Sequence, residues 1–482
     1  MLYNLVYNKN MLARLIIFIH ITLAIFAISH VILNKRSASS ALNWILFIFI
    51  YPFFGIVAYF LFGINRVKKK VLKNTLKTKQ LRLPNQEECP FANKNVPITK
   101  KHLQQIEKIV DKITFTPLLP GNAISLYKNG DEAYPAILTA MGQAKHSINL
   151  CSYIFDGHET CHPFLQALIQ AKKRGVIVNV FIDGVGAFYS LPSMFKLLKK
   201  NNIRVHLFNP TLLPWKTQYL NLRNHKKIIV IDGKIGFTGG MNLSRFSIQA
   251  NNPKNPIQDI HFKIEGPVVR HLQETFVLDW AYITNEELTT PEWFPTIKAA
   301  GNIPARGISD GPDDGSDQLR DTILGAISCS RSSITIQSPY FLPDSTLISA
   351  LKSASRRGVK ITIMIPEKNN FRLVQWAAMA QMWQILNWGE VYLGAAPFDH
   401  SKFMVVDDFW CFIGSANWDQ RSLRLNYEFN LECYSTKLAK ELNATFQEKK
   451  LIAKKIDLSF VDSRHLLIKL RDGLARLGKP LL

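Results

Sequence analysis

Residues 224–232 read NHKKIIVID and residues 399–407 read DHSKFMVVD, so the pattern His-x-Lys-x-x-x-x-Asp occurs twice, as His225/Lys227/Asp232 and as His400/Lys402/Asp407. In each copy a Gly-led turn follows the aspartate, GGMN (Gly239, Gly240, Asn242) and GSAN (Gly414, Ser415, Asn417). The β-branched residues after Lys227 and Lys402 predict a strand, and residues two apart on a strand share a face. Each histidine is therefore expected beside its lysine. Two such half-sites in one chain imply a single shared active site.

The duplication extends well beyond the motif. ILTAMGQAKHSINLCSYIF (137–155) aligns without a gap to ILGAISCSRSSITIQSPYF (323–341), and KRGVIVNVFID (173–183) aligns to RRGVKITIMIP (356–366). Helical runs at Pro163 to Lys173 and Ser345 to Arg356 lead into β-branched runs at Val176 to Ile182 and Val359 to Ile365. This alternation predicts an α/β class, with two similar α/β/α sandwich halves around a pseudo-two-fold axis. The halves are expected at 121–305 and 306–482, with a boundary in the Gly-, Pro- and Asp-rich stretch 302–316.

Imidazole and ammonium on one face suit phosphoester chemistry. The histidine can attack phosphorus or move a proton, and the lysine neutralises the non-bridging oxygens. Asp232 and Asp407 complete the repeated motif but sit in turn sequences, where an aspartate often serves the backbone alone. The Gly-x-x-Asn turns, with Gly240, Ser415, Asn242 and Asn417, are candidates to bring backbone N–H groups and amides to a phosphate. Downstream, DIHFKIE (259–265) and NYEFNLE (426–432) alternate polar and apolar residues, the ordinary mark of a half-solvated strand. A reacting histidine also needs its second ring nitrogen held, and Asp259 and Glu428 are the candidates for that role. Neither the six cysteines nor the carboxylates show metal-ligand spacing, so no metal or other cofactor is expected.

The N-terminus constrains the partner. Apolar runs at about 12–33 and 42–62, separated by NKRSASSA, predict a transmembrane helical hairpin over 1–65. SASSA resembles a cleavage site, but the length of the first run and the presence of a second favour retained spans. A basic and polar linker, 66–120, holds one helix near Lys101 to Asp111. Arg66, Lys68, Lys69, Lys70 and Lys73 outnumber Lys35 and Arg36, which puts the large C-terminal portion on the cytoplasmic side. A formal net charge of +23 asks for an anionic partner, and two spans select anionic phospholipid over nucleic acid. His20 and His30, within the hairpin, are expected to make inter-helix or interfacial hydrogen bonds. The C-terminal RHLLIKLRDGLARLGKPLL places Leu466, Leu470, Leu474 and Leu477 at helical spacing, which predicts a helix packed on the second half, with a basic helix at the lipid interface as the alternative.

The duplicated motif resembles that of the phospholipase D superfamily, and more narrowly the chain is similar to bacterial cardiolipin synthases of the phospholipase D type. LNWILFIFIYPFFGIVAYFLFG, DGVGA, SPYFLPD, GSANWDQRS, LNYEFNLE and the terminal RLGKPLL carry the narrower resemblance. It implies a multi-pass protein of the bacterial cytoplasmic (inner) membrane that transfers a phosphatidyl group between two phosphatidylglycerol molecules, giving cardiolipin and glycerol. One motif histidine would form a phosphatidyl-histidine, with His225 the first choice by analogy, while the other shuttles the proton. Lys227, Lys402, Asn242 and Asn417 would hold the phosphate, and Asp259 and Glu428 would orient the histidines. Alternatives from the same residues are hydrolysis to phosphatidic acid and a phosphatidylethanolamine donor. Gly240 stands where the second copy has Ser415, so the halves are expected to be unequal.

Overall fold

The computed structural model describes residues 2–35, 38–63, 98–114, 116–210, 222–312 and 317–479. They fall into two compact units, 1–70 and 71–482.

In the first unit a helix spans Leu2–Asn34, of which Ala13–Asn34 is long and apolar enough to cross a membrane. The second expected span is not one continuous helix. It comprises a helix at Ala38–Ile50, a break at 51–53, a short helix at Phe54–Ala58 and a π turn at Tyr59–Gly63. Pro52 has no N–H for the ladder, and Phe53 takes φ +60, outside helical geometry. Ala27, Val31, Ile48, Ile56 and Tyr59 pack together between the arms. His30 meets Tyr59 Oη at 2.8 Å, an inter-helix bond as expected. His20 differs, for its buried Nδ1 has no hydrogen-bond partner among the described residues and its ring lies 4.6 Å from that of Phe53.

The second unit is organised by one 15-stranded sheet. Its first half contains β1 (Leu119–Lys128), β2 (Ser147–Ser152), β3 (Ile177–Asp183), β4 (Arg204–Phe208), β5 (Ile228–Ile231), β6 (Ile235–Gly239) and β8 (Ile260–Glu265), with a two-residue β7 (Ile257–Gln258) outside the sheet. The second half contains β9 (Ile303–Asp310), β10 (Ser333–Gln337), β11 (Lys360–Pro366), β12 (Glu390–Gly394), β14 (Phe403–Val406), β15 (Trp410–Gly414), β16 (Glu428–Tyr434) and β17 (Lys454–Ile456), while β13 (Phe398–Asp399) pairs with β7. Outward from the centre the order is β1-β8-β6-β5-β2-β3-β4 on one side and β9-β16-β15-β14-β10-β11-β12-β17 on the other. The two orders correspond strand for strand until β17. Antiparallel pairing of β1 with β9 joins the halves, so the pseudo-two-fold axis passes between them.

Helices cover both faces. One core cluster serves each half alone, and a third spans both, with Phe262, Phe276 and Trp280 of the first half and Phe429, Leu442 and Phe446 of the second. Helix Gln104–Ile113, expected in the linker, buries Ile106 and Val110 in the second-half core. The stretch 302–316, expected to hold the boundary for its Gly, Pro and Asp, contains β9 (Ile303–Asp310) beside the axis, and 313–316 lie outside the described residues. Gly307 belongs there because a Cβ would lie 2.7 Å from Phe429 Cζ and 2.8 Å from His271 Cβ.

The half-solvated reading of NYEFNLE also fails, since every residue of β16 is buried. With β9 and β15 on its two edges and helices over the sheet, its polar side chains must find partners inside. Glu432 accepts from Arg306 Nε at 2.6 Å, and Arg306 also reaches Asp111 at 2.6 Å. Removing one member of a buried pair strands the other's charge, at about 3–5 kcal/mol. Arg306→Ala is therefore expected to destabilise the protein by about that amount, read as a lower urea midpoint with unchanged slope.

Candidate active site

His225 and His400 stand just before their strands, on segments pinned across the axis. His225 N–H donates to the carbonyl of Tyr427 at 2.8 Å, and His400 N–H to that of Gln258 at 2.7 Å. Each motif segment is thus held by backbone from the other half. The two rings stand edge-on to one another, with centroids 6.5 Å apart and planes at 77°.

The side chains cross in the same way. His225 Nδ1 donates to Glu428 of the second half at 3.0 Å, and His400 Nδ1 donates to Asp259 of the first at 2.8 Å. With Nδ1 engaged, Nε2 is the nitrogen left to react in each ring. Lys227 and Lys402 fold back so that each Nζ donates to the carbonyl oxygen of its own motif histidine.

Burial sets the charges. It lowers the His225 pKa against the pull of Glu428, and burial together with Lys402 takes His400 down to about 4. Burial also lowers Lys227 to about 7 and Lys402 to about 8. For Glu428 burial would raise the pKa, but His225, Lys227 and the Ser415 hydroxyl outweigh it and hold the carboxyl below its usual range. Both imidazoles are therefore biased toward the neutral form, each bonded to a carboxylate, and the lysines give up their protons easily. An arriving phosphate anion favours the protonated lysines.

Ser415 and Gly240 differ for a geometric reason. The Ser415 hydroxyl donates to Glu428 and accepts the Phe429 N–H. A Cβ on Gly240 would lie 2.5 Å from Asp259 Oδ1 and 3.0 Å from the His400 carbonyl, so no side chain fits there. Asn426 adds a further donor to Glu428 at 3.3 Å.

The remaining candidates are placed differently from expectation. Asp232 and Asp407 lie beyond the far ends of β5 and β14, separated from the lysines by a four-residue strand of roughly 13 Å. Asp232 accepts the backbone N–H groups of Lys145, His146 and Ser147. Asp407 accepts those of Arg331, Ser332 and Ser333 and pairs with His102. Burial would raise the Asp407 pKa, yet these donors bring it down to about 2. Both residues adopt positive φ in the turns from β5 to β6 and from β14 to β15, while their carboxylates hold the chain that leads into β2 and β10. In the second Gly-Asn turn the Ser415 and Ala416 N–H groups go to Phe429 O and Asn430 Oδ1, leaving neither for a phosphate. Asn242 Oδ1 accepts the Ile154 N–H, bracing the loop beside Tyr153. Asn417 Nδ2 donates to Ser422 Oγ, while its buried Oδ1 has no partner among the described residues.

Several site neighbours carry no signal in the motif. Tyr153 stands edge-on to His225 at 5.3 Å with Lys227 over its ring, and Tyr340 and Phe398 flank His400 at 6.2 and 5.9 Å. Behind the motifs lie two ion pairs, one buried and one partly buried. Lys226 reaches Asp279 on helix Val269–Thr284 at 3.0 Å, and Asp399 reaches Lys449 on helix Thr436–Lys450 at 2.5 Å. Their one sequence trace is that TF (275–276) and TF (445–446) align Asp279 with Lys449. Among the described residues no three His, Cys, Asp or Glu side chains converge to hold a metal ion.

The sequence matches the family described as cardiolipin synthase, PLD-like domain, at residues 137–280 and 323–450, and the phospholipase D-nuclease N-terminal family at 22–63. It is 32% identical over 486 residues to the major cardiolipin synthase ClsA of Bacillus subtilis, covering 98% of this chain and 99% of that one. It is 30% identical over 484 residues to the cardiolipin synthase of Listeria welshimeri, covering 98% and 100%. Among solved structures, the phosphatidylserine synthase of Haemophilus influenzae superposes with a TM-score of 0.60 at 14% identity, covering 78% of this chain and all of that one, a likeness of fold.

Two expectations separate the motif residues. Asp232→Ala or Asp407→Ala leaves three or more N–H donors unmet and lowers stability by about 1–3 kcal/mol, while the folded fraction keeps most of its turnover. In His225→Ala or His400→Ala the folded fraction itself loses turnover, and the melting temperature falls as well because Glu428 or Asp259 loses its imidazole partner. Because burial brings Lys227 and Lys402 down to about 7 and about 8, kcat/KM should fall as pH rises through that window. The corresponding limb of kcat should lie at higher pH, since bound phosphate holds the ammonium protons.

Proposed function

The chain belongs to the cardiolipin synthase family with phospholipase D-like domains, and from that footing we propose that it joins two phosphatidylglycerol molecules into cardiolipin with release of glycerol. Support comes from the pair of imidazoles with centroids 6.5 Å apart, each bonded to a buried carboxylate and each with a lysine bonded to its backbone carbonyl.

In the first displacement His225 Nε2 attacks phosphorus of a bound phosphatidylglycerol. The P–O bond to glycerol breaks, and His400 Nε2–H supplies the proton to the departing oxygen. The phosphodiester anion offsets the pull of Lys402 on His400 and favours its protonated form. In the second displacement the terminal hydroxyl of another phosphatidylglycerol gives its proton to His400 and attacks phosphorus, and the P–N bond to His225 breaks. Charge stays balanced, one phosphodiester is exchanged for another, and no activated lipid is consumed. Lys227 and Lys402 hold the non-bridging oxygens.

His225 is assigned the attack because the phosphoimidazolium it forms needs a fixed anion. Glu428 is fully buried and receives further donors from Ser415 and Asn426. On the lipid side, the apolar N-terminal helix and the match to an N-terminal family at 22–63 support membrane association. The charge bias after residue 64 supports a multi-pass chain of the bacterial inner membrane with its catalytic portion in the cytoplasm.

Purified full-length protein in vesicles of phosphatidylglycerol alone should yield cardiolipin and glycerol in equal amounts, and added glycerol should regenerate phosphatidylglycerol from cardiolipin. Phosphatidic acid without cardiolipin would replace this reading with hydrolysis. Cardiolipin formed only when phosphatidylethanolamine is added would change the donor.

A further inference from the structure

The C-terminal helix Leu466–Leu477 wears its apolar stripe on the outside. Leu466, Leu467, Leu470, Leu474 and Leu477 are each more than half exposed, whereas the buried positions are Asp472 and Ala475. At about 100° per residue the five leucines fall within an arc of roughly 100°, and Asp472 and Ala475 lie on the opposite side. A helix packed for the core would show the reverse. The packing expectation stated for this segment thus fails at the level of the stripe, since the small face meets the protein.

The flanks of the stripe are cationic. Arg471 borders one edge, and Lys469 and Arg476 border the other. Asp472, the one acid of the helix, is buried and bonded to Arg464 and Arg471 at 2.7 Å. A second copy of the chain laid on this face would bring like charges together, on a protein of formal charge +23. A bilayer with anionic headgroups meets both the leucines and the cations.

The stripe also connects to the site. Helix Arg372–Met379 packs against the C-terminal helix, with the Arg471 guanidinium 4.3 Å from the Trp376 ring. Phe371 and Leu373, at the start of that helix, are more than half exposed, and Phe371 lies 6.1 Å from Tyr340, which flanks His400. On the His225 side, Tyr153 leads at 6.2 Å to Tyr189, which is exposed beside Phe188 and Leu191. Each catalytic ring is therefore followed outward by an aromatic side chain and then by exposed apolar residues.

We propose that the leucine stripe of helix 466–477, continued by Phe371 and Leu373, is a membrane-contact surface of the catalytic unit that seats the mouth of the histidine site on anionic lipid. This deepens the functional reading above and takes its choice of lipid from it. The surface supplies a contact of its own, separate from the N-terminal spans, and lets acyl chains stay in the bilayer while a headgroup reaches the histidines.

The test uses full-length protein in phosphatidylglycerol vesicles, with a polarity-sensitive fluorophore on Leu470→Cys in a Cys89→Ser, Cys329→Ser background. Expected are a blue-shifted emission, loss of most of it to a nitroxide carried on lipid acyl chains, and protection from iodide. Leu470→Glu combined with Leu474→Glu should keep the melting temperature and the rate on substrate dispersed in detergent micelles, but lose kcat/KM several-fold on vesicles. A label open to iodide and untouched by the lipid nitroxide would overturn the proposal, as would cross-linking between copies through the thiol of Leu470→Cys. Lipid quenching in a protein that makes no cardiolipin would uphold the surface while the functional reading failed.

Discussion

The crossed hydrogen bonds from His225 to Glu428 and from His400 to Asp259 set the terms for the rest of the molecule. A buried carboxylate is tolerated only with a partner, and a buried imidazole reacts through the intended nitrogen only if the other one is held. Here each half supplies the anion that the other half's histidine needs. Neither half can complete its chemistry alone, so the join between them must be rigid. The β1–β9 pairing and the core cluster shared across the axis provide that rigidity. The bonds from His225 N–H to Tyr427 and from His400 N–H to Gln258 then place the motif segments.

Within this symmetric frame the two half-sites have diverged where divergence is sterically possible. Asp259 approaches Gly240 so closely that a side chain is excluded, and Glu428 leaves space for Ser415, which donates to it. Behind the motifs the ion pairs differ as well, Lys226 with Asp279 in one half and Asp399 with Lys449 in the other, and the positions equivalent to Lys226 and Asp399 are Ser401 and Asn224. These differences give the two histidines unequal surroundings, in keeping with the unequal roles proposed for them.

The motif strands, the helices at 162–173 and 345–356, the paired halves and the His–Lys pairs are legible in the sequence because each rests on local periodicity or on repetition. What crosses the chain is not. Glu428 and Asp259 can be nominated from their alternating strands, yet their exchange of partners depends on contacts 203 and 141 residues apart. Asp232 and Asp407 illustrate the opposite error, since recurrence marks them as important without saying for what. Their turn setting is the better guide, for both organise backbone N–H groups. The polar row of β16 misleads because alternation signals solvent only when one face of a sheet is bare, and here both faces are covered.

The account is tested most directly by burst kinetics with a phosphatidyl-nitrophenol donor, whose leaving group departs without a proton and so isolates the attacking histidine with its carboxylate. The crossed arrangement predicts that His225→Ala and Glu428→Gln fall together, losing or greatly slowing a burst that His400→Ala and Asp259→Asn both retain. Loss of the burst in His225→Ala and Asp259→Asn, with retention in Glu428→Gln, would contradict the exchange of partners on which the site is built.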